Sequence, residues 1–226
     1  MIRFILFIQL LALASASSSG KSFLKDENDL RAIYLQCGLT NDLSFDIFEK
    51  AINGMQKIVE LQNKSIITIV DYSRPSSKKR FFVIDLDNRH VLYKTIVAHG
   101  KNSGDYDAKS FSNKPGSLKS CLGFFVTAET YNGKYGYSLF LDGLEPGIND
   151  NARKRAIVIH GADFVTSAII KEYGRLGRSY GCPALPVNVS KPIIDMISKG
   201  TCVFIYGNDP EYLKSSKIIN DQKNSG

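Results

Sequence analysis

Two segments of the sequence decide the fold: Ala156-Ile-Val-Ile-His160-Gly161 and Ser179-Tyr-Gly-Cys182-Pro183. The first has the character of a short apolar strand that ends by delivering a histidine and a glycine to a loop. The second places a cysteine directly after a glycine, 22 residues beyond His160. A free thiol is only a few per cent thiolate at neutral pH, so a nearby imidazole that takes its proton increases the reactive population. The pair predicts Cys182 as a nucleophile and His160 as its base.

The backbone around the thiol supplies a second part of this prediction. With no side chain on Gly181, the amide hydrogens of Gly181 and Cys182 are expected to face a carbonyl oxygen and form an oxyanion hole. Spacing alone leaves another interpretation open, in which His160 is a core histidine and Cys182 a small buried residue.

Runs of β-branched and aromatic residues surround the two segments and predict strands. They cover residues 66–72, 80–86, 91–98, 124–130, 137–141, 156–159 and 202–206. Asp87-Asn88 predicts a hairpin between the second and third of these strands. Residues 100–123, rich in Gly, Ser, Lys and Asn, predict a long loop, and such loops on β scaffolds often form the walls of sites.

Helical periodicity precedes the strands. Apolar residues recur at helical spacing in 30–37 and again in 48–59, with Gly38 ending the first helix and Ser44 capping the second. Shorter helices are expected over 165–173 and from Ser190, as N-cap, to 199. We therefore predict a helical segment over residues 17–62, a β-rich catalytic domain over 63–213 and a flexible tail over 214–226.

The amino terminus has the pattern of a secretory signal peptide. Arg3 precedes the apolar residues 4–14, and Ala14-Ser15-Ala16 provides a small-residue cleavage site, so residues 1–16 are expected to be removed. The apolar run is about half of the roughly 20 residues that span a bilayer. We expect an exported protein of the periplasm or cell envelope with no stable membrane anchor after cleavage.

Charge and cysteine content limit the partners and cofactors. Cleavage leaves 28 basic against 22 acidic residues, a balance that suits an anionic, carboxylate-rich polymer. Export and the lack of interleaved basic and aromatic motifs argue against nucleic acid. The three histidines lack the spacing of a zinc site, so no metal and no cofactor is predicted. If Cys182 stays a thiol, at most one disulfide can form among Cys37, Cys121 and Cys202.

Both segments, together with motifs elsewhere, resemble the L,D-transpeptidase catalytic family, in its branch of murein L,D-transpeptidase catalytic domains. The resemblance rests on Ile157-Val-Ile-His-Gly-Ala162 and Gly177-Arg-Ser-Tyr-Gly-Cys-Pro-Ala-Leu185. It extends to residues 71–76, 79–85, 97–100, 111–113 and 122–125, and so to most of residues 43–213. It implies a mainly β (α+β), sandwich-like catalytic domain with an N-terminal helical segment.

The resemblance also implies an activity. A Cys182 thiolate attacks the bond between diaminopimelate and D-Ala in a peptidoglycan tetrapeptide stem, D-Ala leaves, and an amine on a second stem resolves the thioester. His160 would be the general base, Gly181 and Cys182 the oxyanion amides, and Ser179 a support for the turn. Water as acceptor would make the protein an L,D-carboxypeptidase, and loss of turnover would leave a wall-binding protein. The protein is expected to be a monomer.

Departures from the family pattern affect the remaining roles. Tyr180 replaces a histidine and Pro183-Ala184 replaces a residue followed by Arg or Asn. A phenol is not a base near neutral pH, so His160 is expected to act alone. The substrate-binding residues are then expected to be Arg178, Arg175, His99, Tyr180 and Gly161, with either arginine as a carboxylate clamp. The Gly161 carbonyl and Asp163 are both candidates for orienting His160.

Two other enzyme classes fit less well. A zinc carboxypeptidase would need a compact set of metal ligands, which the sequence lacks. A sortase-like transpeptidase relies on an arginine after its cysteine, and no arginine occurs after Arg178.

Overall fold

The structure is a computed structural model that describes residues 27–221. The expected signal peptide, residues 1–16, lies outside the described residues. In chain order the structure contains α1 (Glu27–Gln36), α2 (Phe45–Lys57), β1 (Ile66–Asp71), β2 (Phe81–Asp85), β3 (His90–Thr95), β4 (Gly123–Gly133), β5 (Gly136–Gly143), β6 (Val158–Gly161), α3 (Ser167–Tyr173), β7 (Ala184–Leu185), α4 (Val187–Ile197), β8 (Cys202–Tyr206), α5 (Pro210–Ser215) and α6 (Lys217–Asn220).

The strands form one sheet of eight in the order β3-β2-β1-β8-β4-β5-β6-β7. The pairs β1–β8 and β6–β7 are parallel and the other neighbours are antiparallel. Ala98, just beyond β3, forms a bridge with Ala184 in β7, so the two edges of the sheet meet. The sheet therefore curls around a common core, and the predicted mainly β fold with added helices is confirmed.

The core is centred on β1 and β8, whose residues are buried along their whole length. Phe124 and Phe204 stack there with ring centroids 4.3 Å apart. Helix α2 lies against these rings through Gly54, where a β-carbon would come within 2.1 Å of the Phe124 ring. Each large apolar side chain buried in this way contributes about 1.5–3 kcal/mol.

Several local predictions agree with the structure. Ser44 caps α2, since its hydroxyl accepts a hydrogen bond from the Ile47 N–H. The expected hairpin joins β2 to β3, and the Asn88 N–H donates to the Asp85 carboxylate within its turn. Residues 100–122 form the expected long loop between β3 and β4.

Helix α4 and the carboxyl terminus differ from their predictions. Pro186 is the N-cap of α4, and Ser190 lies inside the helix, where its hydroxyl donates to the Val187 carbonyl. Residues 210–220, partly within the predicted flexible tail, form α5 and α6. They are held because the Ser216 hydroxyl bonds to Glu145 and Tyr212 is buried. Leu213, Ile218 and Ile219 also pack against the core, which the Lys-, Asn- and Ser-rich composition of this segment did not predict.

The four cysteines all carry free thiols. Cys121, Cys182 and Cys202 are buried, and Cys37 is half-buried. No helix within residues 27–221 has the length and hydrophobicity of a membrane span.

Candidate active site

Strand β6 carries His160 between two neighbours that fix its position. Ser138 of β5 lies opposite His160 on one side, and Ala184 of β7 lies opposite it on the other. The His160 N–H also donates to the Pro183 carbonyl, at 3.4 Å. Because β7 begins two residues after Cys182, this parallel pairing brings the histidine strand and the cysteine turn together.

The turn before Cys182 is organised by Ser179. Its hydroxyl donates to the Cys182 carbonyl at 2.6 Å and accepts the Gly181 N–H at 3.1 Å. Gly181 has a φ of 128°, and a β-carbon there would lie 2.8 Å from the Lys119 carbonyl, so only glycine fits. Ser179 was expected to support this turn, and both of its hydrogen bonds lie within the turn. The Gly181 amide was expected to face a carbonyl oxygen as part of an oxyanion hole, and here its hydrogen is bound to the Ser179 hydroxyl.

Residues of the segment between β3 and β4 form hydrogen bonds with this turn. The Ser179 N–H donates to the His99 carbonyl at 2.9 Å, and the Lys101 N–H donates to the Ser179 carbonyl at 2.8 Å. Ser120 accepts the Gly100 N–H and donates its hydroxyl hydrogen to the Gly181 carbonyl at 3.1 Å. Sequence reasoning missed Ser120, which no motif of its own marks.

A cavity of about 500 Å³ opens beside the turn and the end of β6. Six of the nine predicted site residues line it: Cys182, His160, Ser179, Tyr180, Arg175 and Arg178. The other lining residues are Lys101, Tyr135, Phe164 and Gly177. Gly181 and Gly161 are not among the lining residues. Gly181 directly precedes Cys182 in the turn, and the Gly161 carbonyl is hydrogen-bonded to the His160 imidazole.

The imidazole of His160 is held in one orientation. Its Nδ1 lies 2.9 Å from the Gly161 carbonyl, which can only accept, so Nδ1 carries the hydrogen and Nε2 has a free lone pair. Of the two expected orienting groups, the structure therefore selects Gly161 over Asp163. Tyr135 stacks on the imidazole with centroids 4.8 Å apart. Burial lowers the pKa of His160, partly offset by the Gly161 hydrogen bond.

Cys182 is 6% exposed, and its thiol donates to the Ala156 carbonyl, with sulfur and oxygen 3.5 Å apart. Burial raises the pKa of the thiol, while a backbone hydrogen bond from Val158 and the charge of Arg155 act in the opposite direction. The resting group is therefore a neutral thiol facing Ala156. Within residues 27–221 no protein acceptor takes the Cys182 N–H.

Ala156 itself has an unusual backbone, with φ of 52° in the left-handed region. Such conformations cost about 1–3 kcal/mol in residues other than glycine and concentrate at functional sites. Here the strained residue supplies the carbonyl that receives the thiol hydrogen.

Arg155 is a second residue that the sequence did not single out. Its guanidinium donates to the carbonyls of Ser112 and Lys119 and to the Ser117 hydroxyl, so it ties the long loop to the base of the site. The same charge partly offsets the burial that raises the pKa of Cys182. An arginine within a turn carries no local signal for this role, which depends on where the loop folds.

His99 does not line the cavity, and its expected role in substrate binding is corrected. The ring is fully buried, with Nδ1 accepting from Arg80 Nη2 at 2.8 Å and Nε2 donating to the Gly104 carbonyl at 3.2 Å. Burial and the Arg80 charge lower its pKa to about 4. Both ring nitrogens are occupied, so His99 acts as a fixed link between the core and the loop.

Arg175 and Arg178 both reach the Asp105 carboxylate. Arg175 Nε and Arg178 Nη1 lie 2.9 and 3.1 Å from Asp105 Oδ1.

Among residues 27–221, no group of three or more His, Cys, Asp or Glu side chains is placed to hold a metal ion.

The model of the family described as the L,D-transpeptidase catalytic domain matches residues 39–206. No curated protein matches the chain significantly. An L,D-transpeptidase from Mycobacterium smegmatis is a similar solved structure, with 15% identity, 63% of this chain and 59% of the other covered, and a TM-score of 0.39.

Two further solved structures are similar. The helical cell shape determining protein Pgp2 (K307A mutant) from Campylobacter jejuni has 15% identity, 75% and 61% coverage and a TM-score of 0.44. L,D-transpeptidase 1 from Mycobacterium tuberculosis has 14% identity, 63% and 62% coverage and a TM-score of 0.36. The chain spans about three fifths of the length of these proteins. Because the family model matches well over half of the sequence, this chain belongs to the L,D-transpeptidase catalytic domain family.

Proposed function

We propose that this protein is an exported cysteine L,D-transpeptidase that acts on peptidoglycan tetrapeptide stems through a thioester on Cys182. One observation carries the proposal: Cys182 and an imidazole with a free Nε2 line the same cavity. Family membership supports the substrate class, because L,D-transpeptidases act on peptidoglycan in the cell envelope. Location in the periplasm or cell envelope follows from the expected signal peptide.

Acylation begins with two neutral groups. Burial raises the pKa of the Cys182 thiol and lowers that of His160, so a resting thiolate–imidazolium pair is disfavoured. The thiol rotates from the Ala156 carbonyl toward Nε2, which takes its proton as sulfur attacks the carbonyl carbon between diaminopimelate and D-Ala. The oxyanion faces the Cys182 amide. Collapse breaks the carbon–nitrogen bond, and the imidazolium returns the proton to the amine of D-Ala.

Deacylation uses the same groups in the opposite sense. An acceptor amine gives a proton to His160 Nε2 as its nitrogen attacks the thioester carbon, and the carbon–sulfur bond breaks. The imidazolium then protonates the sulfur, which restores the free thiol. Water in place of the amine gives an L,D-carboxypeptidase, which remains the alternative outcome of the same intermediate.

The cavity walls support recognition of an anionic stem. Arg175, Arg178 and Lys101 bring positive charge to the cavity, and the exposed Tyr180 ring lies 5.1 Å from Lys101 Nζ. Arginine pairs with carboxylates through strong charge-assisted hydrogen bonds, and the stem carries several carboxylates. These residues are proposed to bind the acyl donor.

Mass spectrometry of the purified protein with tetrapeptide muropeptides tests the mechanism. We expect an acyl adduct on Cys182, release of D-Ala, and loss of both in Cys182→Ala. Cys121→Ala is the matched control, because this second thiol is also buried but does not line the cavity. Retention of turnover in Cys182→Ala contradicts the mechanism, and stem binding without any adduct supports a wall-binding protein instead.

The products then separate the two enzymatic outcomes. A cross-linked dimer indicates transpeptidation, whereas a tripeptide without a new amide bond indicates carboxypeptidase activity. A thiol alkylator is expected to stop either reaction and a chelator to leave it unchanged.

A further inference from the structure

One carboxylate of the protein, Asp105, is paired with both arginines that line the cavity. Both Arg175 and Arg178 line the cavity, and both point a nitrogen at the same oxygen of Asp105, at 2.9 and 3.1 Å. The arginine side chains are 24% and 31% exposed, whereas Asp105 is 53% exposed. The two guanidinium groups therefore converge on a position that suits one carboxylate oxygen.

Both arginines also contact backbone carbonyls, in addition to the Asp105 carboxylate. Arg175 Nη1 donates to the Leu176 carbonyl at 2.9 Å, and Arg178 Nη1 makes long contacts of 3.4 Å with the carbonyls of Lys101 and Gly104. Their positions thus depend on the backbone as well as on the Asp105 carboxylate.

The turn that carries Asp105 is also anchored by other contacts. His99 Nε2 donates to the Gly104 carbonyl, and the Ser76 N–H donates to the Tyr106 carbonyl at 3.0 Å. The Asp105 side chain is the exposed part of this anchored turn, so it can rotate into water while the backbone stays in place. Exposed ion pairs of this kind are weak, because water solvates both partners well.

We propose that Asp105 occupies the subsite for the terminal carboxylate of the acyl donor and is displaced when the donor binds. This inference rests on the proposed function, because it takes the D-Ala carboxylate of the tetrapeptide stem as the displacing group. Asp105 then competes with substrate and sets the affinity for the donor. The opposite possibility is that Asp105 orients the arginines, in which case its removal weakens binding.

Calorimetric binding to the Cys182→Ala protein tests the inference without any turnover. The ligands are a tetrapeptide stem with a free terminal carboxylate and the same peptide as a C-terminal amide. We expect Asp105→Asn to bind the free acid about fivefold more tightly, the effect of removing a competing exposed ion pair, and to bind the amide as before. Asp105→Ser serves as a second variant, with thermal unfolding as a check of folding.

Asp163→Asn is the matched control, since it removes the same charge from an exposed residue that lines a different cavity. Its affinity for the free acid is expected to be unchanged, which separates competition from a general effect of net charge. Unchanged or weaker binding of the free acid to the Asp105 variants overturns the inference, as does a complete absence of binding.

Turnover in the protein that retains Cys182 separates this inference from the proposed function. We expect Asp105→Asn to lower KM for the tetrapeptide and to leave kcat unchanged. If binding responds as expected but no thioester forms, the carboxylate subsite stands and the proposed function fails. If the thioester forms but binding does not respond, the proposed function stands and the role of Asp105 is wrong.

Discussion

Replacing Tyr135 by alanine should reduce the rate of Cys182 acylation and change its pH dependence. Tyr135 lies in the turn between β4 and β5, and its ring stacks on the His160 imidazole with an interplanar angle of 25°. The stacked ring shields one face of the imidazole from water. It therefore contributes both to the orientation of the base and to the burial that lowers the pKa of His160.

The size of the effect follows from the contact. A stacked aromatic pair contributes about 0.5–1.5 kcal/mol beyond the area it buries. If this energy holds Nε2 in place during attack, its loss lowers kcat/KM about twofold to tenfold. Exposure of the imidazole also raises the pKa of His160 toward its ordinary value of about 6.5. Because the neutral imidazole is the active base, the acidic limb of the rate profile moves to higher pH.

The assay is the rate of D-Ala release from tetrapeptide muropeptides at low substrate concentration, measured between about pH 4 and 9. Under these conditions the profile reports kcat/KM and hence the pKa values of the free enzyme. Tyr135→Phe keeps the stacked ring and should keep the original limb. Tyr180→Ala removes an exposed ring from the same cavity and should leave the limb in place.

A shift of the acidic limb to lower pH in Tyr135→Ala would refute this reasoning. So would an equal shift in Tyr135→Phe, because the hydroxyl rather than the ring would then be responsible. A slower rate with an unchanged limb would show that Tyr135 positions the imidazole without controlling its burial.

Three other changes test different parts of the structure. Burial is the main cause that lowers the pKa of His99 to about 4, so the fold favours the neutral ring. The stability that His99 contributes is therefore complete above about pH 6.5 and is lost as pH falls through 4. Urea denaturation should show a decline of about 3 kcal/mol over this interval, and His99→Gln should lack it. Gly54→Ala should lower the free energy of unfolding by about 1–3 kcal/mol, because the added carbon meets the Phe124 ring; a gain in stability would contradict this packing. Arg155→Met should move the alkylation profile of Cys182 to higher pH, because the positive charge of Arg155 favours the thiolate; an unchanged profile in iodoacetamide kinetics would show that Arg155 acts only on the loop.

The strands and main helices were largely predictable from local sequence. Strand β8 coincides with the predicted residues 202–206, and the predicted helices over 30–37 and 48–59 overlap α1 and α2. Alternating or continuous apolar runs reflect burial that the chain needs wherever it folds. The start of α4 and the helices α5 and α6 were less predictable, because their boundaries depend on contacts with distant residues such as Glu145.

Part of the candidate site could likewise be predicted from the sequence, and part could not. Cys182, His160, Ser179, Tyr180, Arg175 and Arg178 were selected from motifs and do line one cavity. His99 was placed in the substrate site because it belongs to a family-like motif, but Arg80 and Gly104 occupy both of its ring nitrogens. Ser120, Tyr135 and Arg155 were missed because they belong to no motif and reach the site from other loops and turns.

The sequence by itself determined the family, the alternation of strands and helices, and the cysteine and histidine of the cavity. These features depend on residue type and on spacing along the chain. Only the tertiary structure decided that the Gly161 carbonyl orients the imidazole and that the Gly181 amide is bound within its own turn. It also decided that the Cys182 thiol donates to the Ala156 carbonyl, and that Asp105 pairs with both Arg175 and Arg178. Hydrogen bonds and ion pairs act over a few ångströms, so their partners are set by how distant segments pack and not by their order in the chain.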